Sequence, residues 1–86
     1  MATIGDIKAG LVHGKSEADK ALTQLAGVTA QVDMAIAVLQ ALVAGTRQPA
    51  VMGAIGKLTA AKQNFTEGAG LIQAAIAQTE KYNAAL

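Results

Sequence analysis

The stretch Gly45-Thr46-Arg47-Gln48-Pro49 decides the fold, because helix-breaking residues meet only here, near the middle of an 86-residue chain. Glycine commonly ends a helix, and proline is favoured in the first turn of the next one. The sequence therefore predicts an all-α antiparallel hairpin, with helices over about 3–44 and 49–84 and a turn at 45–49. Residues 1–86 are expected to form a single domain.

The composition supports helix on both sides of this turn. Hydrophobic residues make up 52% of the chain, but aromatic residues only 2%, and alanine dominates the apolar content. Alanine is the strongest helix former, whereas aromatic and β-branched residues favour strands. With seven basic and six acidic residues, the chain offers neither a basic patch nor aromatic stacking, so no nucleic-acid partner is expected.

Apolar or small residues recur at alternating spacings of three and four on both sides of the turn, which is typical of packed helices. Thr3 and Asp6 have the spacing of a capping box and predict the start of the first helix. The first series is Ile4, Ile7, Leu11, Gly14, Ala18, Ala21, Leu25, Val28, Val32, Ala35, Leu39 and Leu42. The second is Val51, Ala54, Leu58, Ala61, Phe65, Gly68, Ile72, Ala75, Thr79, Tyr82 and Leu86.

Two places leave the continuity of the helices open. Glycine weakens a helix, and Gly14 precedes Ser16 and Asp19, which have capping-box spacing. A separate short N-terminal helix is therefore an alternative. The second helix has its weak point at Gly68-Ala69-Gly70, where a bend would cost least.

Antiparallel pairing about the turn places residues whose numbers sum to about 93 at the same level. A large side chain then faces a small one in nearly every layer, as close helix packing requires. The predicted core within the hairpin is Leu25, Val28, Val32, Leu39, Leu42, Val51, Leu58, Phe65 and Ile72.

A second apolar stripe runs beside this core. The apolar surface is therefore wider than one hairpin needs. Two helices alone bury little surface, so this stripe predicts assembly into a four-helix bundle or a larger helical oligomer. The predicted oligomer interface is Leu22, Ile36, Val43, Ile55 and Ile76. The partner is expected to be a second copy or a similar helical-hairpin protein. Between Leu25 and Gly45 the only charge is Asp33, so this surface should lie near the turn.

No catalytic, cofactor-binding or metal-binding residue is predicted. Ala9 to Ser16 matches a loose phosphate-loop pattern, but no buried strand precedes it, as such a loop requires. His13 is the only histidine and there is no cysteine, which excludes thiolate metal sites and histidine clusters. We therefore do not expect an enzyme.

The location of the chain is left open between the cytoplasm and secretion without a cleaved signal peptide. Met1 to Asp6 has no basic start followed by an apolar run. Leu25–Gly45 is apolar enough to suggest a membrane-spanning helix, but the polar residues Gln31, Asp33 and Gln40 interrupt it. The heptad pattern explains the segment better, so membrane contact is not expected.

A cysteine-free chain of this length, with two long helices about a short turn, resembles the small Trp-x-Gly helical hairpins of type VII (ESX) secretion in actinobacteria. Thr3 to Gly10 and Ala74 to Tyr82 also resemble small actinobacterial proteins of that shape. Gly45-Thr46-Arg47 stands where that family has Trp-x-Gly, and Leu86 follows Tyr82 where its export signal has an acid. The resemblance implies an exported or partner-bound structural protein.

Three hypotheses on function follow. The first is a non-enzymatic interaction protein that dimerises through its apolar stripe and is exported by a leaderless route. The second is a structural subunit of a filament, tube or phage-type assembly, in which contacts between subunits do not close. The third is a membrane-active hairpin.

Overall fold

The computed structural model describes residues 2–45 and 47–86, and these form two antiparallel helices. Helix α1 spans Ile4–Gly45 and helix α2 spans Pro49–Ala85, with 42 and 37 residues respectively. The predicted all-α helical hairpin is confirmed, with helix boundaries within one residue of those expected. Thr46, which belongs to the predicted turn, and Met1 lie outside the described residues.

Helix α1 begins with the capping box that Thr3 and Asp6 predict. The backbone N–H of Thr3 donates to Oδ2 of Asp6, and the backbone N–H of Asp6 donates to Oγ1 of Thr3, both at 3.1 Å. The two bonds satisfy backbone donors that a helix start otherwise leaves unpaired. Asp6 also places a negative charge beside the positive end of the helix.

Neither helix is interrupted at its glycines. Helix α1 continues through Gly14–Ser16, so the alternative of a separate N-terminal helix is wrong, and helix α2 continues through Gly68–Gly70. Packing of one long helix along the other offsets the intrinsic cost of glycine, about 1 kcal/mol per residue relative to alanine.

Helix α2 begins where the proline predicts. Gln48 is extended, with φ −64° and ψ 124°, and Pro49 is the first helical residue. The backbone N–H groups of Val51 and Met52 both donate to the carbonyl oxygen of Gln48 at 3.1 Å. Proline has no N–H to leave unpaired in this first turn, and its fixed φ suits the helix.

Two ion pairs between the helices report their register. Lys15 Nζ lies 2.9 Å from Glu80 Oε1, and Lys62 Nζ lies 2.6 Å from Asp33 Oδ1. Each pair joins residues whose numbers sum to 95, which differs from the predicted 93 by one residue per helix. The molecule is a rod of 64 × 19 × 15 Å.

The rod has no buried interior among the residues that the structure describes. The helices meet along two rows of half-buried residues, called the hairpin seam below. In α1 the row is Ile7, Leu11, Lys15, Ala18, Ala21, Leu22, Leu25, Thr29, Val32, Ile36, Leu39 and Val43. In α2 it is Val51, Ala54, Ile55, Leu58, Ala61, Lys62, Phe65, Gly68, Ala69, Ile72, Ile76, Thr79 and Asn83.

Candidate interaction surface

The predicted hairpin core needs a correction at two positions. Seven of its residues are half-buried along the hairpin seam: Leu25, Val32, Leu39, Val51, Leu58, Phe65 and Ile72. Val28 and Leu42 instead remain 41% and 51% exposed, so they lie at the edge of the seam.

The reason is a rotation of α1 about its own axis, by about half of the angle between successive helical residues. Three neighbouring rows of α1 are apolar, and two of them suffice to pack against α2. One of the two rows that face α2 includes Leu22, Ile36 and Val43, which are half-buried, whereas Ala35 of the third row is exposed. This rotation also places Asp33 within reach of Lys62.

The five residues predicted for an oligomer interface are half-buried within a single chain. Leu22, Ile36, Val43, Ile55 and Ile76 all belong to the hairpin seam. Close to the turn, Val43 and Ile55 line a shallow depression together with Gln40 and Met52. Their contact with a second chain stays a prediction, and the structure adds that each already contributes to the packing of α1 on α2.

One flank of the seam carries polar and charged side chains. We call it the ion-pair groove and define it by Asp33 and Gln40 of α1 with Lys62 and Ala69 of α2. The Asp33–Lys62 pair crosses it, and the charged groups are about half exposed. Asp33 and Ala69 line one depression on this flank, and Gln73 and Thr66 extend its polar wall.

The opposite flank carries no charge. We call it the uncharged groove and define it by six residues: Val28, Ala35 and Leu42 of α1 with Ala61, Gly68 and Ala75 of α2. Helical geometry separates the two flanks. Val28 lies three residues after Leu25, slightly less than one turn, whereas Asp33 lies four residues after Thr29, slightly more than one turn, so the two side chains fall on opposite sides of the seam. In α2, Ala61 and Lys62 diverge in the same way.

Further large apolar side chains widen the uncharged groove. Val38 is 63% exposed and Leu71 is 73% exposed, the highest value among the exposed large hydrophobic residues of the described chain. By helical position both lie on the outer margins of the uncharged side, in rows that also carry Glu17 and Lys57. Exposed apolar surface of this kind is more common at interaction sites than elsewhere on a protein surface.

The charged ends of the helices are held by exposed ion pairs. The Glu80 carboxylate accepts a hydrogen bond from Lys15 and attracts its charge, and Asp19 adds to the attraction. These contacts raise the pKa of Lys15 above its ordinary value of 10.5. Within α1, Lys20 also pairs with Glu17 at 3.2 Å. The polar end of the rod is therefore internally paired near both termini.

The remaining polar groups offer little chemistry. Over residues 2–45 and 47–86, no group of three or more His, Cys, Asp or Glu side chains is placed to hold a metal ion. Five threonine hydroxyls donate to carbonyl oxygens of their own helix, for example Thr59 to Ile55 at 2.8 Å and Thr29 to Leu25 at 2.9 Å. What the arrangement can do is pack against another apolar surface.

Comparison with known proteins adds no relative. No protein-family model, curated protein or solved structure matches the chain. By length and composition alone, α1 is apolar enough to cross a membrane: it contains an 18-residue window with a mean hydropathy of 1.6, none of it buried.

Proposed function

We propose that the protein is a non-enzymatic helical interaction protein that pairs with a second copy of itself to form a four-helix bundle. The observation that carries this proposal is the absence of any buried residue in the part of the chain that the structure describes. Two helices of 42 and 37 residues have a large surface. The single contact between them leaves most of that surface exposed to water.

The chain exposes more surface than a compact protein of its mass. The chain exposes 6203 Å² at a mass of 8.6 kDa. A compact monomeric protein of that mass exposes about 4,700 Å², so the rod carries an excess of roughly 1,500 Å². The excess is comparable to the area that one subunit loses in a large protein interface.

Pairing of two copies accounts for this excess. Two separate rods expose about 12,400 Å², whereas a compact particle of twice the mass exposes about 7,800 Å². The difference, about 4,600 Å², lies within the range of obligate homodimer interfaces. A four-helix bundle is the arrangement in which each helix of the hairpin gains a second neighbour.

The resemblance to type VII helical hairpins extends the proposal to export without a cleaved leader. The shared shape supports it: two long helices about a short turn, with exposed apolar surface for a partner. Detection of the untruncated chain in the culture medium of its native organism tests this part. Retention of the chain inside intact cells would contradict export while leaving dimerisation standing.

Sedimentation equilibrium over a wide concentration range tests the pairing. We expect a fixed mass of about 17 kDa, twice that of the chain, with helical circular dichroism throughout. Growth of the mass without limit would favour the second hypothesis, a subunit of an open polymer. Recovery only in detergent would favour a membrane-active hairpin. A fully helical monomer at all concentrations would overturn the proposal.

A further inference from the structure

We propose that the second copy docks on the uncharged groove, so that the interface between chains is distinct from the stripe of Leu22, Ile36, Val43, Ile55 and Ile76. The inference rests on the proposed function and specifies its binding face. It assigns Val28 and Leu42, which remain exposed in the single chain, to contacts between chains.

Charge distinguishes the two available faces. On the uncharged side, one row of each helix carries no charge. These rows are Ile7, Gly14, Ala21, Val28, Ala35 and Leu42 in α1 and Ala54, Ala61, Gly68, Ala75 and Tyr82 in α2, of which Ile7, Ala21, Ala54, Ala61 and Gly68 are half-buried in the seam. On the other side, a docking chain would have to cover Asp33 and Lys62, which are 50% and 42% exposed. Removing an ion pair from water is costly, so the uncharged groove is the favoured face.

The shape of the uncharged groove matches a second copy of itself. Its α1 wall carries two large residues, Val28 and Leu42, on either side of Ala35. Its α2 wall carries only Ala61, Gly68 and Ala75, and Ala54 continues that row toward the turn. A Cβ atom added to Gly68 would meet no neighbouring atom within 4 Å, so the space above this glycine is open. Large side chains of one copy can therefore enter the space above the small residues of the other.

The register of the hairpin shows how two copies can be arranged so that large residues of one lie opposite small residues of the other. From the register of the two ion pairs, Val28 lies within one residue position of the level of Gly68, and Leu42 within one position of the level of Ala54. Near the termini the order reverses, because Gly14 is level with Tyr82. A two-fold axis along the rod places α1 of one copy over α2 of the other and keeps these levels. Both turns then lie at the same end, and each large residue meets a small one.

The area available agrees with this occupant. The excess surface of the whole rod, roughly 1,500 Å² per chain, exceeds what a short peptide would cover, and a second rod of the same 64 Å length can cover an area of that order. A second copy supplies the same uncharged rows, so neither chain has to cover an ion pair at the centre of the interface.

A matched pair of substitutions tests the face. Ala35→Glu places a carboxylate in the uncharged groove, whereas Ala37→Glu places the same group two residues further on, on the back of α1. Both alanines are exposed in the single chain, so both variants should keep the hairpin. We expect Ala35→Glu to weaken dimerisation by at least about a hundredfold and Ala37→Glu to leave it nearly unchanged.

The readout is sedimentation equilibrium with circular dichroism on the same samples. A dimeric Ala35→Glu variant, or dissociation by Ala37→Glu alone, would overturn the face while leaving the proposed dimer intact. A wild-type chain that is monomeric throughout would instead overturn the proposed function and the face with it.

Disulfide trapping provides a second measurement that does not depend on tolerance of a buried charge. The chain has no cysteine, so single-cysteine variants report one contact each. Mixed Ala35→Cys and Ala61→Cys chains should form a mixed disulfide under mild oxidation, because α1 of one copy lies over α2 of the other. Ala37→Cys mixed with Ala61→Cys is the matched control. Equal trapping in both mixtures would contradict the arrangement.

Discussion

At the scale of single residues, Thr3 and Asp6 determine where α1 starts. Their two reciprocal hydrogen bonds, each 3.1 Å, are local, and the spacing of three residues that produces them is visible in the sequence. This part of the fold could be predicted because both partners belong to one helical turn.

We expect Thr3→Ala to destabilise the N-terminal turn by about 1 kcal/mol, because Oγ1 of Thr3 no longer accepts the N–H of Asp6. Hydrogen exchange at the amides of residues 4–7 measures the loss locally. Thr23→Ala is the matched control, because its hydroxyl only donates to the carbonyl oxygen of Asp19 within the helix. Equal protection of residues 4–7 in the two variants would contradict the role of the capping box.

The ion pair of Lys15 and Glu80 should make a pH-dependent contribution to stability. The pKa of Lys15 is raised in the folded chain by the Glu80 hydrogen bond and charge, and then by Asp19. A raised pKa stabilises the fold below the unfolded value of 10.5, and this stabilisation is lost as the pH rises through the folded pKa. Lys15→Gln should therefore have a lower Tm than the wild type at neutral pH.

The difference in Tm should shrink once the pH exceeds 10.5. Thermal unfolding followed by circular dichroism, with both chains at matched pH and concentration, measures it. Lys57→Gln removes one positive charge without removing an ion pair found among the described residues, so it controls for net charge. A Tm difference for Lys15→Gln that stays constant into strongly alkaline solution would show that the Glu80 contact contributes nothing.

At the scale of the helices, continuity through the glycines is the notable result. Nine glycines occur in the chain, and those inside α1 and α2 have negative φ, so they are ordinary helical residues. A Cβ added to Gly27 or Gly70 would meet nothing within 4 Å, and Gly70 lies on the back of α2. Their cost is therefore conformational entropy in the unfolded chain.

Gly27→Ala and Gly70→Ala should each stabilise the protein by about 1 kcal/mol, because alanine restricts the unfolded chain and fits the helix without a clash. Chemical denaturation at fixed protein concentration gives the change. The oligomeric mass should stay the same, since both positions are exposed and outside the uncharged groove. A loss of stability in both variants would mean that a second chain packs closely on the backs of the helices.

The helix faces were harder to predict than the helix ends. Each helix carries more than two neighbouring apolar rows, and packing within the hairpin uses only part of them. Val28 and Leu42 were predicted to lie in the hairpin core, and the structure places them beside it. The sequence pattern locates the apolar rows but does not show which of them are buried against α2, because burial depends on how α1 is rotated about its axis.

At the scale of the whole molecule, the exposed area of 6203 Å² separates this hairpin from a self-sufficient small domain. If dimerisation supplies the missing burial, stability must depend on concentration. We expect the Tm to rise with protein concentration for the wild type and for Ala37→Glu, and to be lower and nearly independent of concentration for Ala35→Glu. Calorimetry over a hundredfold concentration range, on the order of that needed to shift a two-state dimer, measures this.

By itself, the sequence determined the number of helices, their ends and the antiparallel direction. These depend on local rules: capping at Thr3, a helix end at Gly45, a helix start at Pro49, and apolar spacing along each helix. Only the tertiary structure decided which apolar row of α1 faces α2, which acid and lysine pair across the seam, and which groove stays uncharged. Those outcomes follow from one rotation of α1 about its axis, which brings Asp33 to Lys62 and leaves Val28 and Leu42 exposed. The favoured rotation is the one that buries the most apolar surface between the helices. Because several rows of α1 have similar hydrophobicity, that rotation depends on the shape of α2 and cannot be read from α1 alone.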